Sequence, residues 1–546
     1  MNLRILYIII LIPYVVGLFI PLMEADSAQH ATMAMRMAVE NDFIHLIKFH
    51  QPYLDKPHMH FWLAAISFKI FGLHEWAYRL PAFLFLMGGA YATYRLGKSL
   101  YNNFVGHIST LIFLSVQTII LSAHDVRTDA VLTGATILGL WKIMAFIKKQ
   151  RIIDVCLGFL FLGIAFSTKG LIAVIFVGLC VFCHLVYRNK WSQFFNWKLI
   201  LGLLSFVFAI SPMLYAYYHQ FDLHPELVVE GNKNISGVRF ILWDQVFNRL
   251  NASGFEETSP DYFFFFHTLL WAFIPFSILA YIALYDGINK LIRSKFKKVK
   301  NLDIMSIGGF VLMMILISFS KFKLPHYLNI LTPVLAIVCG GYLLRVKRKN
   351  SLKLIQKLLV VQYVNVGLLS VGILLICFLV FKINNVVAAV LSVVGVIALF
   401  FVVFKMKKTV YKIVVISVVL AAWVNFSLNT LFYPPLLNYQ GGKQIAEYVI
   451  ENDIPKDKVF LYEKSFNWSL DFNLKQNTKT LNNAEVKKIK GVWLVVNRRN
   501  YKQLKEELDI KEVYIVDHFR ITRLSLDFLR PSTRDEVLDK QYLIKL

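Results

Sequence analysis

Runs of about 20 consecutive apolar residues recur along this chain and decide what it can fold into. A run of that length has no place in a water-soluble core, but it matches the hydrocarbon thickness of a bilayer. On a ~20-residue rule the runs fall near 3–22, 80–97, 104–123, 129–147, 152–167, 170–187, 198–218, 262–285, 303–319, 326–344, 355–381, 384–404 and 411–432, about thirteen in all. Composition agrees. The chain has 546 residues, 57% hydrophobic and 17% charged, with a mean hydropathy of +0.56, whereas soluble domains sit near 45–50% apolar. The first run is too long for a secretory signal and lacks its small-residue cleavage site, so it is expected to stay as an anchor.

A net charge of +25 would suit nucleic acid, but its distribution argues against that partner. The cations cluster at Lys148–Arg151, Arg188–Lys190, Lys290–Lys300, Arg345–Lys349 and Lys405–Lys408, each in a short loop between apolar runs. That is the pattern of cytoplasmic loops under the positive-inside rule, with contact to anionic membrane lipid as a secondary role. With the N-terminus cytoplasmic, all these clusters fall on one side, and the acid-bearing loops at 24–79, 124–129, 219–261 and 321–325 fall on the other. An odd number of spans then puts the C-terminus outside. The five cysteines all lie in apolar runs, so no disulfide framework is expected, and Cys180 and Cys183 read as packing residues.

Near Asn438 the pattern changes. An amphipathic helix at Lys443–Glu451 is followed by strand-like runs at Lys458–Tyr462, Gly491–Val496 and Glu512–Val516, with a helical stretch at Tyr501–Leu508. The division expected is a membrane domain over 1–435 and a small α/β domain over 436–546, large enough for a core of its own. There is no phosphate-loop glycine pattern, nucleophile elbow, tandem repeat or inverted pair of broken helices.

Reactive side chains crowd the outer loops. Glu24 and Asp26 follow the first run, and a helical pattern extends from Ala28 to Glu40. Asp26 suits an N-cap, but two carboxylates at the mouth of a span also suit a functional site and a general base. Lys56 lies between Asp55 and Pro57, where the proline holds it extended and an ammonium can meet a lipid phosphate. His58 and His60 stand near Asp55, a spacing open to a metal site or to ordinary hydrogen bonding. Arg127 offers a fork for phosphate beside Asp129. Lys169 lies between two close runs, and Lys323, His326 and Tyr327 fill a further outer loop.

In their order these motifs resemble the GT-C glycosyltransferases of the protein mannosyltransferase and lipid A aminoarabinose transferase group. The matching stretches are Asp26–Ala31, Asp55–Trp62, Phe71–Pro81, Arg127–Ala130, Thr168–Gly170, and Lys323–Tyr327 with Pro333 beyond, spread over roughly 1–435. The chain departs from the usual pattern where Ser27 follows Asp26, where Gln29-His30 stands for Arg-Tyr, and where His58 replaces a second proline.

The resemblance implies an all-α polytopic GT-C domain with a small extracytoplasmic α/β domain, in a bacterial inner membrane and as a monomer. It implies inverting transfer of a sugar from a polyprenyl-phosphate donor, undecaprenyl in kind, to a lipid or glycan acceptor outside the membrane. By position, Asp26 and Asp129 are the catalytic acids, with Glu24 beside them. Lys56, Tyr327, Arg127, Lys169, Arg249, Lys323, His326 and His30 are expected around the donor phosphate and substrate, while Asp55 and His58 stand where some members hold a divalent ion. The rival expectations are a protein O-glycosyltransferase of the mannosyltransferase type and a transporter or flippase of lipid-linked sugars.

Overall fold

Apolar runs without interior water can satisfy their backbone only as helices, and in the computed structural model the described residues up to Asn438 are accordingly mainly helical. It describes residues 2–229, 231–245, 247–248, 261–299, 302–463, 465 and 467–546. In chain order come α1 (Leu3–Gly17), α2 (Asp26–Glu40), α3 (Met59–Phe71), α4 (Glu75–Leu100), α5 (Asn103–Ser115), α6 (Gln117–His124), α7 (Asp129–Lys149), α8 (Ile152–Lys169), α9 (Ile172–Tyr187) and α10 (Lys198–Tyr217). Helices Phe264–Ala272, Ser277–Arg293, Ile304–Ser318, Thr332–Lys349, Leu352–Leu379, Val386–Lys405 and Val410–Ser427 complete the apolar part.

Among the described residues, seven helices are long and apolar enough to cross a membrane, or eight if the pair α5–α6 is one span bent by 56°. Length alone therefore does not reach the thirteen spans expected. Several runs are shorter or broken. The run at 104–123 bends at Val116, and that at 262–285 stops before Pro275, which has no N–H to continue a helix. Four shorter apolar helices remain, among them α1 and α9, which were read as spans, and α3, which was not.

The loop between α1 and α4 is ordered by burial. α2 begins at Asp26 and is buried from Ser27 through Ala38, all round rather than on one face. A small hairpin follows, with β1 (Ile47–Lys48) paired antiparallel to β2 (Gln51–Pro52). Its turn residues Phe49 and His50 have φ of 49° and 60°, so no Asn-Gly or Asp-Gly pair announces it in the sequence. Arg79 on α4 is wholly buried. It donates to Leu18 O at 2.9 Å, Pro21 O at 2.9 Å and His124 O at 2.8 Å, tying the end of α1 to the end of α6. The loops carrying Asp26 and Arg127 leave from those two ends.

The C-terminal region forms a five-stranded sheet of β3 (Val459–Tyr462), β4 (Thr480–Leu481), β5 (Trp493–Asn497), β6 (Glu512–His518) and β7 (Asp539–Lys545), in the order β4-β3-β5-β7-β6. β3 runs parallel to β4 and β5, while β7 is antiparallel to β5 and β6, with Val495 opposite Leu543. One face packs Ile445, Val449 and Leu470 from helices Gly442–Glu451 and Trp468–Leu474. The other packs Leu504 from helix Arg498–Glu507. β4, β7 and helix Trp468–Leu474 were not anticipated.

Candidate active site

A cavity of about 660 Å³ opens where α2, the β1–β2 hairpin, α7, α8 and the stretch 322–327 meet. Asp26, Asp55, Asp129 and Asp244 line it with Lys48, Lys56, Arg127 and Lys169, so acids and cations share the wall. A second space of about 130 Å³ adjoins it and is walled by Leu132, Ile172, Ile175, Leu316, Ile317 and Ile330. Asp129, Lys169, His326 and Tyr327 belong to both walls. A charged chamber and an apolar slot thus meet at one cluster.

Its ion pair is buried. Lys169 Nζ lies 2.6 Å from Asp129 Oδ1, with the two side chains 7% and 4% exposed. His326 Nε2 stands 3.8 Å from Asp129 Oδ2, and the Lys169 ammonium lies 4.9 Å from the centre of the Tyr327 ring. Two close helix ends place Lys169. α8 stops at Gly170, whose φ of 74° favours glycine, and a Cβ there would stand 2.5 Å from Gln245 Oε1.

The second cluster is more open. Arg127 Nη1 bonds Asp26 Oδ2 at 2.8 Å, and its Nη2 bonds Asp125 Oδ2 at 2.8 Å. Asp26 is 52% exposed and makes no capping bond at the start of α2, so the capping role weighed from sequence is not what its side chain does. Burial disfavours the Arg127 charge, yet Asp125 and Asp26 hold its pKa above the usual value. Lys56 pairs with Asp55 at 2.5 Å, and Gln245 Nε2 donates to Asp55 O at 2.6 Å. His30 is 4% exposed against His60 and Phe61, and burial pulls its pKa well down, leaving a neutral ring at the cavity wall.

Three expected residues stand elsewhere. Glu24 turns away from the cavity, and its Oε1 accepts from Ser469 N at 2.9 Å, because the C-terminal domain covers that side. Lys323 is 3% exposed, with its ammonium 5.4 Å from the Tyr262 ring, and is not part of the cavity wall. His58 is buried under Trp62 and Tyr217, and its Nε2 lies 2.9 Å from Ile44 O rather than beside Asp55. Among the described residues no group of three His, Cys, Asp or Glu is arranged for a metal ion, and Asp55 pairs with Lys56 while His58 turns to Ile44 O. Arg249 lies outside the described residues. Lys48 and Tyr53 were missed; they reach the cavity from the hairpin, with the Lys48 ammonium 5.7 Å from the Tyr53 ring.

The fold has counterparts. The sequence profile of the dolichyl-phosphate-mannose-protein mannosyltransferase family matches residues 55–215. The crystal structure of ArnT from Cupriavidus metallidurans bound to undecaprenyl phosphate superposes with a TM-score of 0.75 at 16% identity, over 100% of this chain and 98% of that one. Its apo form gives 0.72, also at 16% identity, over 100% and 97%. An undecaprenyl phosphate-α-4-amino-4-deoxy-L-arabinose arabinosyl transferase of Proteus mirabilis strain HI4320 is 23% identical over 342 residues, 61% of this chain and 57% of the relative. A putative mannosyltransferase of Bacillus subtilis strain 168, YkcB, is 26% identical over 136 residues, 25% of this chain and 19% of that one. The chain spans little more than half the length of the first two curated relatives, 57% and 53%.

The fold is therefore that of a polytopic membrane protein of the GT-C class. In sequence the chain is similar to the undecaprenyl phosphate-α-4-amino-4-deoxy-L-arabinose arabinosyl transferases over about three fifths of its length, and to the dolichyl-phosphate-mannose-protein mannosyltransferase family over residues 55–215.

Proposed function

We propose that this protein is a membrane glycosyltransferase that moves a sugar from a polyprenyl-phosphate donor, undecaprenyl phosphate in kind, to a lipid or glycan acceptor. The observation that carries the reading is the junction of the two spaces: an apolar slot and a charged chamber share Asp129, Lys169, His326 and Tyr327. A donor with a long apolar tail and a phosphate head needs both, with cations where they meet. Its phosphate lies among Lys169, Lys56 and Arg127, and its sugar extends into the chamber toward Asp26.

In the step itself the acceptor oxygen attacks the anomeric carbon, the bond from that carbon to the phosphate oxygen breaks, and the polyprenyl phosphate leaves with the bonding electrons. The Asp26 carboxylate takes the acceptor proton as general base. The cations stabilise the negative charge that gathers on the departing phosphate. Asp129 keeps the Lys169 ammonium in place. The lipid A-like acceptor is favoured over a protein hydroxyl by the likeness to the arabinosyl transferases, which exceeds the mannosyltransferases' in extent. On the charge distribution in the loops, the site faces the periplasmic side of a bacterial inner membrane and the N-terminus faces the cytoplasm.

The test is reconstitution in vesicles with a polyprenyl-phosphate sugar carrying a labelled sugar. The label is expected to pass to the acceptor lipid while free polyprenyl phosphate accumulates. A donor that crosses the bilayer intact would instead mark a transporter. A transporter calls for ionisable groups near the midplane, whereas Asp26, Asp129 and Lys169 all stand at helix ends.

A further inference from the structure

Helix Trp468–Leu474 of the C-terminal region packs against both elements that frame one side of the cavity. On α2 the bonds bracket Asp26: Glu24 Oε1 accepts from Ser469 N at 2.9 Å, and Thr32 Oγ1 donates to Trp468 O at 3.3 Å. On the hairpin they adjoin Lys48: the Trp468 ring stacks on Phe49 with centres 3.7 Å apart and planes 21° apart, and His50 Nε2 lies 3.4 Å from Thr478 O. The join is reinforced behind Glu24. Glu24 N donates to Gln440 Oε1 at 2.6 Å, and Gln440 Nε2 donates to Leu22 O at 2.9 Å. The Asp129–Lys169–His326 cluster stands on other helices and makes none of these bonds.

We propose that helix Trp468–Leu474 is a positioning element of the cavity, with Glu24 and Trp468 as its positioning residues. Through them the C-terminal domain sets Asp26 and Lys48 against the buried Asp129–Lys169 cluster. Trp468 works as a wedge: its ring holds the hairpin while its carbonyl and its neighbour's amide hold α2. Neither residue touches substrate. The expected signature follows from where the donor phosphate sits. Loosening this helix shifts the acceptor side of the cavity and leaves the phosphate side in place. The activity arm of this inference rests on the glycosyltransferase reading; its structural arm does not.

The experiment uses the full chain in lipid nanodiscs with Glu24→Gln, Glu24→Ala, Trp468→Phe and Trp468→Ala, followed by amide hydrogen exchange and by sugar transfer. Glu24→Ala and Trp468→Ala are expected to raise exchange across residues 24–52 about tenfold, with residues 152–187 unchanged. A displacement of ~1 Å at a reacting group costs up to about 100-fold in rate, so kcat in these two variants should fall by about tenfold or more, with KM for the donor lipid within about twofold. The conservative pair, Glu24→Gln and Trp468→Phe, keeps an acceptor and a stacked ring and should hold exchange and kcat within about threefold. Raised exchange with unchanged kcat would overturn the proposal, since the domain would then be a cover. So would unchanged exchange in all four variants, or a donor KM that rises in step with the loss of kcat. If the wild type transfers no sugar, the glycosyltransferase reading fails by itself, and exchange across 24–52 still decides whether the helix holds these walls.

Discussion

Asp26 and Asp129 read alike in sequence, each opening a helix after a polar loop, yet they occupy opposite surroundings. Asp26 is 52% exposed at the cavity wall, with an ion pair to an Arg127 that Asp125 also holds. Asp129 is 4% exposed, closed in by Lys169 at 2.6 Å and His326 at 3.8 Å. An open pair contributes about 0–1 kcal/mol, so Asp26 can exchange its partner for a substrate proton at little cost. A buried pair that loses one member leaves a charge without compensation, so Asp129 is bound to its place. In the function proposed above, these two surroundings suit two roles: the open acid faces the acceptor, and the buried one holds the cation that faces the phosphate.

The largest effect expected from breaking this contrast is on the buried side. Lys169→Ala strands the Asp129 carboxylate and should destabilise the protein by about 3–5 kcal/mol, read as a lowered melting temperature in detergent. Lys169→Ala combined with Asp129→Ala should recover part of that loss, because no charge is then left alone. Asp26→Asn should cost about 100-fold or more in kcat through loss of the base, while the melting temperature moves by the little that an open pair contributes.

A third prediction concerns the join behind Asp26. Burial raises the Glu24 carboxyl to about 7, with the Ser469 N–H opposing and Asp471 adding to the rise. Burial likewise raises Asp471 to about 7, opposed by bonds from Thr478. Both folded values lie above the ordinary 4.5 and 3.8, so the stability these groups contribute is full at acid pH and is lost as pH rises through about 7. Exchange of amides 24–32, corrected for the intrinsic rate, should therefore quicken between about pH 4 and 7 and level off above that. Glu24→Gln with Asp471→Asn should flatten that profile. The smallest effect belongs to Lys48→Ala, which removes a cation and its contact with Tyr53 and should raise the acceptor KM by less than about tenfold.

The helical framework was legible because it rests on one strong rule, that apolar runs of this length must become helices. The run count was less secure, since Val116 and Pro275 break runs at points that hydropathy does not register. α2 could be read as a helix but not as a buried one: α3 covers one part of it and Trp468–Leu474, over 400 positions away in sequence, covers another. The site was partly legible for the same reason. Asp26, Lys56, Arg127, Asp129, Lys169, His326 and Tyr327 stand at span ends or in outer loops, where charge draws attention, and the fold brings them together. Glu24 and His58 stand at equally suggestive positions and turn elsewhere, because Ser469 N and Ile44 O offer them buried partners that no local pattern reveals. Lys48 was missed because its hairpin turns through Phe49 and His50, without the glycine that usually marks such a turn. β7 carries only a short apolar core, Tyr542–Ile544, and owes its place to pairing with β5 and β6 on both sides.

The most direct test of the division between the two acids is to measure sugar transfer and thermal stability together for Asp26→Asn and Lys169→Ala in reconstituted membranes. The account predicts an Asp26→Asn protein as stable as the wild type that transfers no measurable sugar, beside a Lys169→Ala protein whose melting temperature is clearly lowered. Sugar transfer by Asp26→Asn at a rate near that of the wild type would contradict it.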